Sequence, residues 1–198
     1  MADRHFVHIR HGQTDWNAAG RLQGSQDIPL NDLGRSQAAR NGRTLAAHLV
    51  EIGRAPGDYR YVASPLGRAR ATMEIVRAEL GLDPAGYETD PRLSEVSFGS
   101  YEGYTYDDIA AEAPETYRSL RADKWHFLPP GGESYAMLRV RVGRFFESLD
   151  GDVVVVSHGG VYRALKSLLL AVQDPALAEA FVPQDRISVW RNGAETWM

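Results

Sequence analysis

The chain contains no cysteine. Disulfides, thiolate nucleophiles and cysteine metal ligands are therefore excluded. It also lacks an excess of positive charge. Its 22 Lys and Arg stand against 26 Asp and Glu, a formal net charge of −4. Nucleic-acid and anionic-membrane surfaces need a basic face, so neither partner is expected. No stretch reaches the roughly 18 uninterrupted apolar residues that cross a bilayer. The opening Met1-Ala2-Asp3-Arg4-His5 turns charged at once and carries no signal-peptide pattern, so a cytoplasmic protein is expected. The glycine fingerprints of dinucleotide-binding and P-loop proteins follow none of the strand-like segments. No repeat, low-complexity tract or long linker divides the 198 residues, a length that suits one domain with a sizeable core.

What is present is an alternation of two periods. Phe6 to Ile9, Tyr59 to Ala63 and Val153 to Val156 are short β-branched or aromatic runs that read as strands. Ala38, Gly42, Leu45 and Leu49 recur at helical spacing, as do Ala69, Met73, Val76 and Leu80. Leu138, Val142, Phe145 and Leu149 repeat the rhythm, then Val161, Leu165, Leu168 and Val172. These stripes are helix faces turned to a core. Asn31 or Asp32 can cap the first helix, and Ser64-Pro65 supplies a cap and first-turn proline for the second. Near the end, Ile187 to Arg191 and Glu195 to Met198 flank Asn192-Gly193-Ala194, a hairpin signal. The pattern predicts an α/β fold: a three-layer α/β/α sandwich on a mostly parallel sheet, with an antiparallel element near one edge. Residues 98–127 differ. Phe98, Tyr101, Tyr104, Tyr106, Tyr117, Trp125 and Phe127 crowd into them, and Pro129-Pro130-Gly131-Gly132 follows. A small helical cap is expected there, an insertion at about 98–131 within a single domain spanning 1–198. Most of its rings serve to pack it onto the body.

The polar residues at the strand ends carry the chemistry. Arg10-His11-Gly12 closes the first strand, Ser64 and Arg68 lie just past the second, and His158-Gly159-Gly160 follows the valine run. Ligands of open α/β sheets bind outside the carboxyl ends of the strands. Three strand ends thus deliver two arginines and two histidines to one rim, where helix N-termini add unpaired N–H groups and partial positive charge. The natural occupant of such a pocket is an anion with several oxygens, phosphoryl above others, because a guanidinium fork pairs with phosphate oxygens bidentately. Taken singly, each residue has an ordinary reading: most histidines do no chemistry, and an arginine usually makes a surface ion pair. Arg68 is the exception, since the first turn of a helix favours acids and an arginine there needs an anion to justify it. Arg21, Arg70, Arg77 and Arg92 are in no such position.

These segments fall in a recognisable order. Arg10-His11-Gly12-Gln13-Thr14 with Trp16-Asn17 is followed by Gly20-Arg21-Leu22-Gln23-Gly24 and Asp27-Ile28-Pro29-Leu30. Then come Ser64-Pro65-Leu66-Gly67-Arg68-Ala69 with Thr72, Leu93-Ser94-Glu95 with Phe98-Gly99 and Glu102-Gly103, Gly131-Gly132-Glu133-Ser134, and Ser157-His158-Gly159-Gly160. Across nearly its whole length the sequence resembles the histidine phosphatase, or phosphoglycerate mutase-like, superfamily. The resemblance implies that His11 attacks phosphorus and forms a phosphohistidine. It implies that Arg10, Arg68 and His158 grip the non-bridging oxygens. Asn17 adds a hydrogen bond to phosphate. Glu95 is implied to protonate the leaving group and then to activate water, a role that calls for shielding by the aromatic cap. Gln23 and Gly24 offer polar contacts near the phosphate, and Gly159 joins them at the start of its helix. Tyr101, Tyr104, Trp125, His126 and Phe127 are candidates for the leaving-group side, among which Tyr101 and Trp125 are placed with the substrate-binding residues.

Neither metal nor cofactor is required by this scheme. A metallohydrolase using His11, His158 and Glu95 as ligands is the competing chemistry, opposed by two arginines in the same pocket. Within the family, cofactor-dependent mutases carry Phe-Thr-Gly-Trp where this chain has Leu22-Gln23-Gly24-Ser25, and Glu-Arg-His-Tyr-Gly where it has Glu95-Val96-Ser97-Phe98-Gly99. The phosphatase branch is the better match. A phosphomonoester hydrolase acting on a small phosphorylated metabolite is therefore expected, with phosphoglycerate mutase activity or non-catalytic binding of a phosphorylated ligand as alternatives. The chain is expected to act as a monomer or homodimer.

Overall fold

The computed structural model describes residues 5–172 and 175–198. Six strands form one sheet: β1 (Phe6–Arg10), β2 (Arg60–Ala63), β3 (Glu88–Thr89), β4 (Val153–Ser157), β5 (Ile187–Arg191) and β6 (Ala194–Trp197). Their order is β3-β2-β4-β1-β5-β6. The first four are mutually parallel; β5 runs antiparallel to β1, and β6 antiparallel to β5. Asn192 and Gly193 adopt φ of 53° and 77°, the left-handed pair that a two-residue hairpin turn requires. Ala194 already belongs to β6.

The period-2 geometry of β4 sorts the helices into layers. Val154 and Val156 face one apolar cluster with Leu45, Leu49, Ala69, Met73 and Val76, contributed by α2 (Asp32–Glu51) and α3 (Gly67–Glu79). Val153 and Val155 face the other, with Leu138, Val142, Phe145, Val161 and Leu165 from α6 (Tyr135–Glu147) and α7 (Gly159–Leu169). Every residue of β4 is buried, as expected of a parallel strand covered on both faces. Cutting one of these buried side chains to alanine costs ~2–5 kcal/mol. Alternation along β1 places Val7 and Ile9 on the α2–α3 side. His8 points the other way, its ring centroid 5.1 Å from that of Tyr162 on α7.

Of the two candidate caps of α2, Asn31 is the one used, accepting from Gly34 N at 2.9 Å, and Asp32 is the first helical residue. Two local expectations need correction. Ser64-Pro65 does not start α3: the cap is Leu66, which has no side-chain capping bond, and the Ser64 hydroxyl turns toward His158 instead. Val172 is not core but 40% exposed, because α7 ends at Leu169 and the chain leaves the sheet.

Between residues 98 and 131 lie two short helices, α4 (Tyr106–Glu112) and α5 (Pro114–Ala122). Thr105 caps the first with a reciprocal capping box, and Pro114 occupies the first position of the second, where its missing N–H costs no helical bond. Ile109 and Leu120 are the residues these helices bury. A short turn of helix, α1 (Asp15–Ala18), follows the β1 exit loop and is capped by Thr14.

Candidate active site

The exit of β1 is held from several sides. His11 N donates to Ser157 O at 2.9 Å, Gly12 N to Thr72 Oγ1 at 3.1 Å and Gln13 N to Gln37 Oε1 at 2.8 Å. Gly12 has no alternative residue, since a Cβ there would lie 2.1 Å from Gly34 O and 2.8 Å from Gly34 Cα. The helix α2 thus sits directly on the loop that carries His11.

The His11 ring orientation fixes its chemistry. Nδ1 lies 2.7 Å from Gly12 O. A carbonyl can only accept, so Nδ1 carries the proton and Nε2 keeps its lone pair. The ring is 2% exposed, at the floor of the site, with its centroid 5.0 Å from that of His158. Burial, followed by the charges of Arg68 and Arg10, holds His11 well below the ordinary histidine range. His158 is lowered likewise, by burial and then by Arg68, His11 and Arg10. Both imidazoles are neutral at neutral pH. His158 Nε2 lies 2.7 Å from Ser64 Oγ; with the Ser64 hydroxyl donating, Nδ1 bears the proton and is a donor for an oxyanion.

Arg10 and Arg68 reach the same place from different elements. Arg68, 1% exposed, anchors its fork on two carbonyls: Nη1 to Gln26 O at 2.5 Å and Nη2 to Gly24 O at 2.8 Å. Arg10 Nη1 donates to Val182 O at 2.6 Å. Neither makes a salt bridge among the described residues. Burial lowers Arg68 and pushes Arg10 down to about 10, with Arg163 the next cause at Arg10; both stay cationic at neutral pH. Arg10 Nε, Arg68 Nε and His158 Nδ1 are buried without a hydrogen-bond partner among the described residues. Buried donors of this kind cost free energy unless something accepts from them. The charges of Arg68 and Arg10 act on both imidazoles, a donor-rich cationic setting that suits an oxyanion and repels a divalent cation.

Glu95 completes the group. Its Oε1 accepts from Val96 N at 2.9 Å and its Oε2 from Gly160 N at 3.2 Å, in the first turn of α7. That contact explains the second glycine, because a Cβ at Gly160 would lie 2.3 Å from Glu95 Oε1. At Gly159 a Cβ would sit 3.5 Å from Arg10 Nε, so the helix start packs against both side chains.

A match to the model of the histidine phosphatase superfamily (branch 1) runs over residues 6–197. The chain belongs to the histidine phosphatase superfamily. It is 34% identical over 183 residues to the glucosyl-3-phosphoglycerate phosphatase of Mycobacterium tuberculosis, covering 86% of this chain and 77% of that one. It is 31% identical over 200 residues to a 2,3-bisphosphoglycerate-dependent phosphoglycerate mutase of Azorhizobium caulinodans, covering 98% and 94%. A solved mycobacterial glucosyl-3-phosphoglycerate phosphatase, in complex with VO3, superposes with a TM-score of 0.77 at 29% identity, covering 98% of this chain and 96% of the other.

The remaining candidates of this histidine phosphatase divide. Asn17 lies on α1, and Gln23 is 5% exposed with Oε1 buried and without a partner among the described residues. Tyr101 and Phe127 line a narrow, largely apolar cleft with Leu22, Val96, Phe98 and Tyr106. Val96 links that cleft to Glu95. The Gly24 carbonyl holds the Arg68 guanidinium, and a side chain there would strike Glu102. Trp125 is misplaced as a substrate contact. It is 2% exposed and stacks on Tyr135, centroids 5.7 Å apart, in the α6–α7 core. Apolar area outweighs the indole N–H there, and the ring docks the segment after α5 on α6. Tyr104 packs edge-on against Tyr101, and His126 pairs with Asp123.

Sequence reasoning missed three contributors. Ser64 was read as a helix cap and orients His158 instead. Arg163, on α7, holds Tyr135 OH at 3.0 Å and Ala180 O at 2.9 Å beside Arg10. It lies on the helix that opens after His158. Gln184 donates to His11 O from a loop without any motif.

Proposed function

We propose that this chain hydrolyses phosphomonoesters of small metabolites through a phosphohistidine. The single observation behind the reading is the His11 tautomer, with Nε2 unprotonated on a ring beside His158 and under the charges of Arg68 and Arg10. Nε2 attacks phosphorus in line with the ester oxygen; the N–P bond forms as the P–O bond to the leaving group breaks. Arg10, Arg68 and His158 Nδ1 stabilise the non-bridging oxygens, whose charge is spread in the transition state. Glu95 gives its proton to the leaving alkoxide. It then takes one from the water that cleaves the N–P bond, releasing phosphate and restoring the neutral imidazole. On this reading the enzyme works in the cytoplasm on a soluble substrate; among the described residues no helix is long and apolar enough to cross a membrane.

Mutase activity is the second reading, raised by the Azorhizobium relative. Against it, the residues that follow Glu95 are Val96, Ser97 and Phe98, none of them basic, although Lys124 lines the same cleft as Val96. A released-phosphate assay on a panel of phosphomonoesters, with His11→Ala beside the wild type, tests the mechanism. We expect turnover only with His11 and a labelled, acid-labile phosphoenzyme after rapid quenching. Equal turnover by both proteins would overturn it. Conversion of 3-phosphoglycerate only in the presence of 2,3-bisphosphoglycerate would favour the mutase.

A further inference from the structure

Gln184 reaches the site from the loop before β5. Its Nε2 donates to His11 O at 3.0 Å and to Asn17 Oδ1 at 3.0 Å. Its main-chain carbonyl accepts from Nδ2 of Asn41, a fully buried residue of α2, at 2.9 Å. The main chain fixes the polarity of this network at both ends. His11 O can only accept, so the Gln184 atom facing it is the amide nitrogen. Thr14 N can only donate, and it meets the same Asn17 oxygen at 3.3 Å. Flipping either amide sets like groups against each other. With Oδ1 committed to two donors, the N–H groups of Asn17 are the end left for an acceptor.

We propose that Gln184 is a positioning residue for phosphoryl binding: it holds Asn17 with its donor end toward the oxyanion at His11. The inference rests on the phosphatase reading and deepens it, since Asn17 contributes as a donor only while its oxygen is occupied elsewhere. Gln184→Leu removes the clamp and lets the Asn17 amide rotate. Gln184→Glu is more severe. The introduced carboxylate sets an acceptor against His11 O and Asn17 Oδ1, and the rotation that relieves this turns the Asn17 oxygen toward the phosphoryl group.

The test is a double-mutant cycle in the full chain, read with p-nitrophenyl phosphate as substrate and inorganic phosphate as competitive inhibitor. Gln184→Leu is expected to raise KM and the phosphate Ki about tenfold, the worth of one hydrogen bond to a charged group, with a smaller change in kcat. Gln184→Glu is expected to raise them further. In an Asn17→Ala background, Gln184→Leu should change Ki by less than about twofold, because nothing remains to orient. The same tenfold loss with and without Asn17, or a fall in kcat with Ki unchanged, overturns the proposal. Should the leucine variant not fold, the isosteric glutamate variant carries the same cycle. A wild type that neither hydrolyses p-nitrophenyl phosphate nor is inhibited by phosphate would overturn the phosphatase reading itself, whereas an active wild type with an additive cycle overturns only the role of Gln184.

Discussion

Acid is expected to destabilise this protein through its buried imidazoles, and His8 is the simplest case to work through. His8 is 1% exposed on β1, with Nε2 2.7 Å from Ser157 Oγ. Burial first, then the charge of Arg10, pushes its pKa down to about 3. In the unfolded chain the same group titrates near ~6.5. Below that pH the unfolded state binds a proton that the folded state refuses. Stability that is fully present above ~6.5 is therefore lost as pH falls toward 3, by about 1.4 kcal/mol per unit once the unfolded form is protonated. Between pH 7 and pH 5 this one side chain contributes a loss of about 2 kcal/mol. Because pH 5 lies well above the folded value, the figure depends almost wholly on the unfolded pKa. Most carboxylates stay ionised in that window, and His11 and His158 add losses of the same sign. The assay is urea unfolding followed by tryptophan fluorescence, with the unfolding free energy plotted against pH for wild type and His8→Gln. The variant starts less stable at pH 7 and should lose about 2 kcal/mol less than wild type on going to pH 5. Parallel curves would refute the argument, since they would mean that His8 takes up its proton in the folded state.

Three further outcomes follow from the site and the core. Arg68→Lys should lower kcat/KM by ~10²–10³, because a lysine cannot hold the Gln26 and Gly24 carbonyls and present a donor to phosphate at once; kinetics within tenfold of wild type would show that the fork is not needed. Glu95→Gln should slow an alkyl phosphate by about 10²–10⁴ and p-nitrophenyl phosphate far less, since a nitrophenolate leaves without a proton; an equal fall for both would remove Glu95 as the proton donor. Trp125→Ala should cost ~3–5 kcal/mol of stability in urea unfolding while leaving KM near wild type; a large KM change with stability intact would restore Trp125 to the substrate site.

The sequence alone determined the layers and the inventory of reactive groups. The helical stripes through Leu45, Met73, Val142 and Leu165 and the valine run of β4 are local periodicities, and burial follows from them directly. Arg10, His11, Arg68 and His158 were legible because β-strands end where apolar runs end, and α/β sheets gather those ends on one side. Only the tertiary structure decided what depends on long-range approach: β4 between β1 and β2, Ser64 turned to His158, Gly24 under Arg68, Trp125 folded into the core, Gln184 against His11. The Ser64, Gly24 and Gln184 contacts each join residues more than forty positions apart through one side chain without periodic neighbours. A hydrogen bond of that kind leaves no trace in local spacing, because its partner is chosen by how the layers stack.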